Sequence, residues 1–137
     1  MFLLAGTFSV AEAASLHIGI LEAVSSFWSS VVFSRHFSEV THILEFTDNS
    51  GSEWASRRET PYLELLQRVV ARRASFLFDS GVFVTSNRVS SAANVWADAL
   101  SRQNERLVLE EAAALELRVH WLSVPPALRD LSWLTAA

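Results

Sequence analysis

Between Ile18 and Phe33 apolar side chains recur at Ile20, Leu21, Val24, Phe27, Trp28, Val31 and Val32. Steps of three and four put them on one stripe of a helix. The opposite side holds Ser25, Ser26, Ser29 and Ser30, with Glu22 at its edge, one turn from Ser26. Further on, Val40 to Thr47 reads as a strand carrying Ile43, Leu44 and Phe46. Thr60-Pro61 predicts a helix start, Thr as the N-cap and Pro at the first helical position. That helix carries Tyr62, Leu65, Leu66, Val69 and Val70 on one face, with Arg68, Arg72 and Arg73 on or beside the other. Gly81 then opens a short strand, Val82 to Val84, and Ser90 or Ser91 caps a helix whose inward side is Ala92, Val95, Trp96, Ala99 and Gln103. A further helical pattern runs from Asn104 to about Val119, and the tail contains Pro125-Pro126 followed by a short helical turn. At the other end, Phe2 to Val10 is apolar and leans to β, interrupted by Gly6.

Strands alternating with helices predict an α/β domain with at least partly parallel strands. The body is expected over residues 1–103 and a helical tail or connector over 104–137. With 137 residues the prior is one domain, and a chain half apolar can bury a core and is not disordered. There is no cysteine, which excludes a disulfide framework and thiolate metal sites. The net charge of −4 is spread unevenly. Residues 1–49 hold one Arg and five acids, residues 50–106 eight Arg and six acids, and residues 107–137 two Arg and four acids. Only the middle segment is suited to meet phosphate. The first stretch has an Ala-x-Ala at Ala11 to Ala13 but lacks the basic flank of a secretion signal, so it is read as a strand. No apolar run reaches the length of about 18 residues needed to span a bilayer, and no membrane association is expected.

The predicted strand ending at Thr47 is followed by Asp48-Asn49-Ser50-Gly51-Ser52, turn-forming residues that strands commonly run into. A second acid, Asp98, lies on the helix of Asn94 to Arg102, where an i, i+4 pair with Arg102 is an ordinary solvated arrangement worth about 0.3–0.5 kcal/mol.

Taken together, "FTDNSGSEWAS" and "NVWADALSR" resemble the ribonuclease H domain of retroelement reverse transcriptases. In that family a "TDN" or "TDS" ends a central strand and an "N-x-x-AD-x-LSR" helix follows some fifty residues on. The matching residues are Thr47-Asp48-Asn49 and Asn94 to Arg102. The family's "HI-x-x-LE" helix start is matched by His17-Ile18 and Leu21-Glu22. The resemblance covers roughly residues 10 to 103, and the tail is similar to the connector that follows such domains.

The resemblance implies an RNase H-like three-layer α/β fold with a C-terminal helical tail, incomplete because the first strands, one carrying a further metal-ligand Asp, are missing from the start. It implies hydrolysis of RNA in RNA–DNA hybrids with two Mg²⁺ ions, Mn²⁺ being an alternative. Hard divalent ions take oxygen ligands and clamp the attacking and leaving oxygens of a phosphodiester. By the same resemblance Glu22, Asp48 and Asp98 are the catalytic metal ligands, and Asn49, Arg57, Arg58 and Arg102 would contact nucleic acid. The partners implied are the hybrid and the rest of a larger polyprotein, in the cytoplasm or nucleus. The absent Asp keeps a second reading open, an inactive remnant acting as a structural or interaction module. A third is a small secreted protein with a cleaved start.

The remaining candidates have ordinary readings too. Trp54 could stack on a base or pack on the sheet, and Arg57-Arg58 and Arg72-Arg73 could grip phosphates or face solvent beside Glu53, Glu59 and Glu64. His17 and His42 are expected to be structural, Asn49 and Asn94 to bond turn or cap backbone, and Trp121 and Trp133 to anchor the tail.

Overall fold

The serine-striped segment is a 19-residue helix, Ile18–His36, and it is the spine of the structure. The computed structural model describes residues 1–6, 8–47, 60–90 and 94–135. In chain order its elements are β1 (Phe2–Ala5), α1 (Val10–Ser15), α2 (Ile18–His36), β2 (His42–Thr47) and α3 (Thr60–Ser80). These are followed by β3 (Phe83–Arg88), α4 (Val95–Ser101), α5 (Glu105–Ala114), β4 (His120–Ser123), α6 (Pro126–Arg129) and α7 (Ser132–Thr135). The molecule is mixed α/β, and both strand pairs among the described residues are parallel.

Helix α2 forms in spite of its serines. Ser25, Ser29 and Ser30 turn their hydroxyls back onto the carbonyls of Leu21, Ser25 and Ser26, four residues earlier. Such back-bonding satisfies the polar groups but adds little helix stability. Burial supplies it instead: Ile20, Val24, Val31, Phe27 and Trp28 are all at most 4% exposed, each worth roughly 1.5–3 kcal/mol by area removed from water. They pack with Tyr62 and Val69 of α3 and with Leu131 and Leu134 near the C-terminal end. His17 caps α2, its Nδ1 accepting from the Gly19 amide at 2.9 Å while its ring meets Tyr62 edge-on. That is the structural role expected for it.

The strands do not form one sheet. Two separate two-stranded sheets are present among the described residues, β1 with β4 and β2 with β3. In the second, Ile43 pairs with Val84, Glu45 with Ser86 and Thr47 with Arg88. In the first, Phe2 to Ala5 pair with His120 to Ser123. The tail is therefore not purely helical. The helix expected to reach Val119 ends at Ala114. Glu116 takes a left-handed φ of 58°, and the Leu117 amide returns to the Ala112 carbonyl at 2.8 Å. A strand edge offered by β1 outweighs the helical leaning of the segment, because unpaired strand backbone is costly to bury.

Two further expectations are corrected. The strand beginning at Phe2 stops at Ala5, and Val10, its expected end, starts α1. The reason is a capping box: Ser9 Oγ accepts from the Glu12 amide at 3.1 Å, and Glu12 Oε1 accepts from the Ser9 amide at 2.7 Å. Gln103, assigned to the inward side of α4, is exposed at a left-handed φ of 59° that ends the helix. Val95, assigned likewise, is 43% exposed, whereas Ala99 is buried as expected.

The C-terminal segment is bound tightly to α2. Trp28 Nε1 donates to the Leu128 carbonyl at 3.0 Å, Phe8 stacks on the Trp28 ring, and Trp133 meets Phe27 edge-on. Arg129 forms two bonds to Glu12, at 2.7 and 3.1 Å, while lying over Trp28. Trp133 thus anchors the tail, while Trp121 is 43% exposed.

Candidate functional site

A cleft of about 670 Å³ opens where the serine side of α2 faces β2, β3 and the start of α4. Its walls follow from the periods of these elements. On α2 the side opposite the buried stripe contributes Glu22, Ser25, Ser26, Ser29 and Ser30. On β2 alternation turns Ile43, Glu45 and Thr47 toward the helix and leaves Leu44 and Phe46, 60% and 57% exposed, on the far side. From α4 come Asn94, Ala97 and Asp98.

Glu22 and Asp98, predicted as ligands, line this one cleft, together with Thr47 at the carboxyl end of β2. Both acids are half-buried. Asp98 also meets Arg102 Nε at 3.4 Å, so the ordinary i, i+4 pair exists as well, in an exposed setting. Asn94 stands at the N-cap of α4 with no side-chain cap bond, although its carbonyl accepts from the Asp98 amide at 3.0 Å. Asp48, Asn49, Trp54, Arg57 and Arg58 lie outside the described residues, as do Ser91 and Ala92.

The residue that sequence reasoning passed over is Glu45. Its carboxylate accepts from Ser26 of α2, from Ser86 of β3 at 2.7 Å and from Arg73 Nη2 of α3 at 3.1 Å. Arg73 Nε also donates to Ser30 Oγ at 3.2 Å. Burial pushes the Glu45 carboxyl up. The Ser26 and Ser86 hydroxyls, with the Arg73 charge, outweigh it and hold the group below the ordinary carboxylate value. The signal in the sequence was its spacing: Glu45 sits two residues from Ile43 and from Thr47, hence on their face.

Among the described residues three carboxylates and one guanidinium, Arg73, line the cleft, so the field they set up is negative. A phosphate would be repelled from it unless a cation intervened. The donor chemistry fits a hard divalent ion, since Glu22 and Asp98 offer oxygen and no softer ligand lines the cleft among the described residues. The fit is partial: among the described residues no three His, Asp or Glu side chains are grouped closely enough to hold a metal, and Glu45 is committed to Ser26, Ser86 and Arg73. Glu22 and Asp98 supply the cleft's remaining carboxylate oxygens, and Glu45 serves to brace it. His42, at the distant end of β2, bonds Thr85 Oγ1 through Nε2 at 2.7 Å, a structural contact.

No helix among the described residues is long and apolar enough to cross a membrane. No family model, curated protein or solved structure matches the chain.

Proposed function

We propose that the chain is an RNase H-like domain of a retroelement reverse transcriptase, whose ancestral reaction is metal-dependent hydrolysis of RNA in an RNA–DNA hybrid. The observation that carries this reading is that Glu22 and Asp98, far apart in the chain and named by separate motifs, line one cleft that runs along β2, the strand whose last residue, Thr47, precedes Asp48 in the sequence. Under this reading Glu22, Asp48 and Asp98 would hold Mg²⁺, or Mn²⁺. A bound ion pair would neutralise the phosphodiester and lower the pKa of a water. The chain's own residues have simpler duties. Glu45 and Arg73 tie α2, β2, β3 and α3 together, which fixes Glu22 relative to the strand end. Asn49, Arg57, Arg58 and Arg102 would touch the hybrid backbone, giving affinity without sequence choice.

The runner-up is an inactive remnant kept as an interaction module. The observation that favours it is the same Glu45: a carboxylate neutralised by protein groups within the cleft takes no part in ion binding.

The deciding measurement is cleavage of a labelled RNA–DNA hybrid with Mg²⁺ titrated from zero. The nuclease reading expects cleavage that Asp48→Asn, Glu22→Gln and Asp98→Asn each reduce by about 100-fold or more, losses of roughly 3 kcal/mol in the barrier. Absence of cleavage in the unsubstituted chain, or cleavage indifferent to all three changes, leaves the remnant.

A further inference from the structure

Ser25, Ser29, Ser30 and Ser34 of α2 and Ser80 of α3 turn their hydroxyls onto carbonyls three or four residues earlier. Ser75 of α3 differs. It is exposed, and among the described residues its hydroxyl makes no hydrogen bond. It borders a groove between α2, α3 and the C-terminal turns that Arg35 and Arg72 also line, and no acid lines that groove among the described residues. Arg73, Arg102, Arg106 and Arg129 each meet a carboxylate. Among the described residues Arg35 and Arg72, both exposed, make no such pair. Arg72 lies over the Trp133 ring, 4.6 Å from its centre, and Arg35 lies 5.9 Å from the centre of Phe76. A ring contact engages the face of a guanidinium and leaves its N–H edge for an anion. Arg68, at the same groove, is held by the Leu134 carbonyl at 2.8 Å.

The sequence around this hydroxyl is Arg72-Arg73-Ala74-Ser75-Phe76. Two arginines, two and three residues before a serine with an apolar residue after it, form the charge pattern that Arg-directed Ser/Thr kinases select. Arg57-Arg58 precedes Thr60 in the same way, but Pro61 follows there. A kinase takes its substrate extended, so α3 must open locally. Val69 is the last buried residue of α3, and beyond it only Arg73, Phe76 and Leu77 are half-buried. Opening that end exposes little apolar surface and costs less than global unfolding. It also releases Arg73 from Glu45 for the enzyme to read.

We propose that Ser75 is a phosphoacceptor for an Arg-directed Ser/Thr kinase, and that its phosphate, once the helix recloses, is held by Arg35 of α2 and Arg72 of α3. Ser75 Oγ attacks the γ-phosphorus of ATP. The bond from that phosphorus to the oxygen it shares with the β-phosphorus breaks, ADP leaves, and the hydroxyl proton passes to the kinase's carboxylate base. The product carries a charge of about −1.5 to −2 and takes charge-assisted hydrogen bonds from both helices. Asp79, one turn further along α3, opposes it. Two guanidiniums against one carboxylate leave the balance favourable. Ser75 lies ahead of the last turn, so the helix dipole weighs little. The site does not depend on the nuclease reading.

The test is incubation of the folded full chain with Mg·ATP and the catalytic subunit of cyclic-AMP-dependent protein kinase, with the phosphorylated residues mapped by mass spectrometry. Ser75 is expected as the principal acceptor, and Arg72→Gln should slow its modification roughly tenfold or more. Phosphorylation is expected to raise the thermal midpoint by about 3 °C or more. Arg35→Gln, which leaves the kinase's target sequence intact, should cancel most of that rise, each chain being compared with its own unphosphorylated form by circular dichroism. Phosphate confined to other residues overturns the proposal, as does modification of Ser75 only in the heat-unfolded chain. A midpoint unchanged or lowered by the phosphate, or a rise that Arg35→Gln leaves intact, overturns it too.

Discussion

Folding holds the carboxyls of Glu45 and Glu12 below their ordinary values. Arg129 bonds hold Glu12 down at about 2, against an ordinary value of 4.5. The environment of Glu45, burial opposed by Ser26, Ser86 and Arg73, leaves it lowered as well. A carboxyl lowered in the folded state stabilises the fold fully above its unfolded pKa and loses that contribution as pH falls through the folded value. For Glu12 the loss falls between pH 4.5 and about 2. The urea midpoint is therefore expected to drop across this window, and Glu12→Gln should flatten the drop while lowering stability at neutral pH. Glu45→Gln is expected to cost about 2 kcal/mol at pH 7, because Arg73 is left half-buried without its counter-charge. A Glu45→Gln protein as stable as the parent would show that the four-element brace is dispensable. Neither role was legible from composition. Glu12 showed a Ser-x-x-Glu signature at Ser9 within a stretch whose apolar residues suggested a strand. Glu45 lay inside an apolar strand, where an acid looked incidental until the opposing serines were known.

At the scale of elements, α2 was read from its stripe alone, and all seven positions assigned to its inner face, Ile20 to Val32, are buried. A helix of this length repeats its period often enough for the sequence to declare it. The short elements could not do so. β4 has four residues, and its pairing is set by β1 at the other end of the chain, which no local pattern encodes. The contact of α2 with α3 holds a further lesson. Gly19 lies in the first turn of α2, and a Cβ built there would come within 2.5 Å of the Tyr62 hydroxyl. Alanine is ordinarily better than glycine in a helix by roughly 1 kcal/mol. Here Gly19→Ala is expected to destabilise by about 1–2 kcal/mol. The same change made with Tyr62→Phe should cost less, a coupling that a double-mutant cycle measures. An additive cycle would mean that the helices slide apart without strain.

For the whole molecule, the legible part was the class, α/β with parallel strands, and the approximate position of most elements. What stayed hidden was how the strands divide. Two parallel pairs form in place of one sheet, and the C-terminal segment is integral: Leu131 and Leu134 join the core around Trp28. Loss of either leucine to alanine ordinarily costs about 2–5 kcal/mol, comparable with the whole stability of a small domain. A chain ending at Val119 is thus expected to lose its cooperative thermal transition by circular dichroism, because β1 has no partner and the Trp28 indole loses its acceptor. A sharp melt within a few degrees of the parent would overturn that view. The candidate site was legible in part, since two of its three acids share a cleft, whereas Asp48 lies outside the described residues.

The pairing of Phe2–Ala5 with His120–Ser123 also has a consequence in time. At a ribosome's pace of roughly 5–20 residues per second, the first strand emerges about ten seconds or so before its mate is made. During that interval Phe2, Leu3 and Leu4 present a naked apolar ribbon, while α2 and α3 are already able to collapse on each other. Maturation is thereby divided into an early helical stage and a late pairing of β1 with β4, and any cellular factor that escorts nascent chains would find its hold on β1.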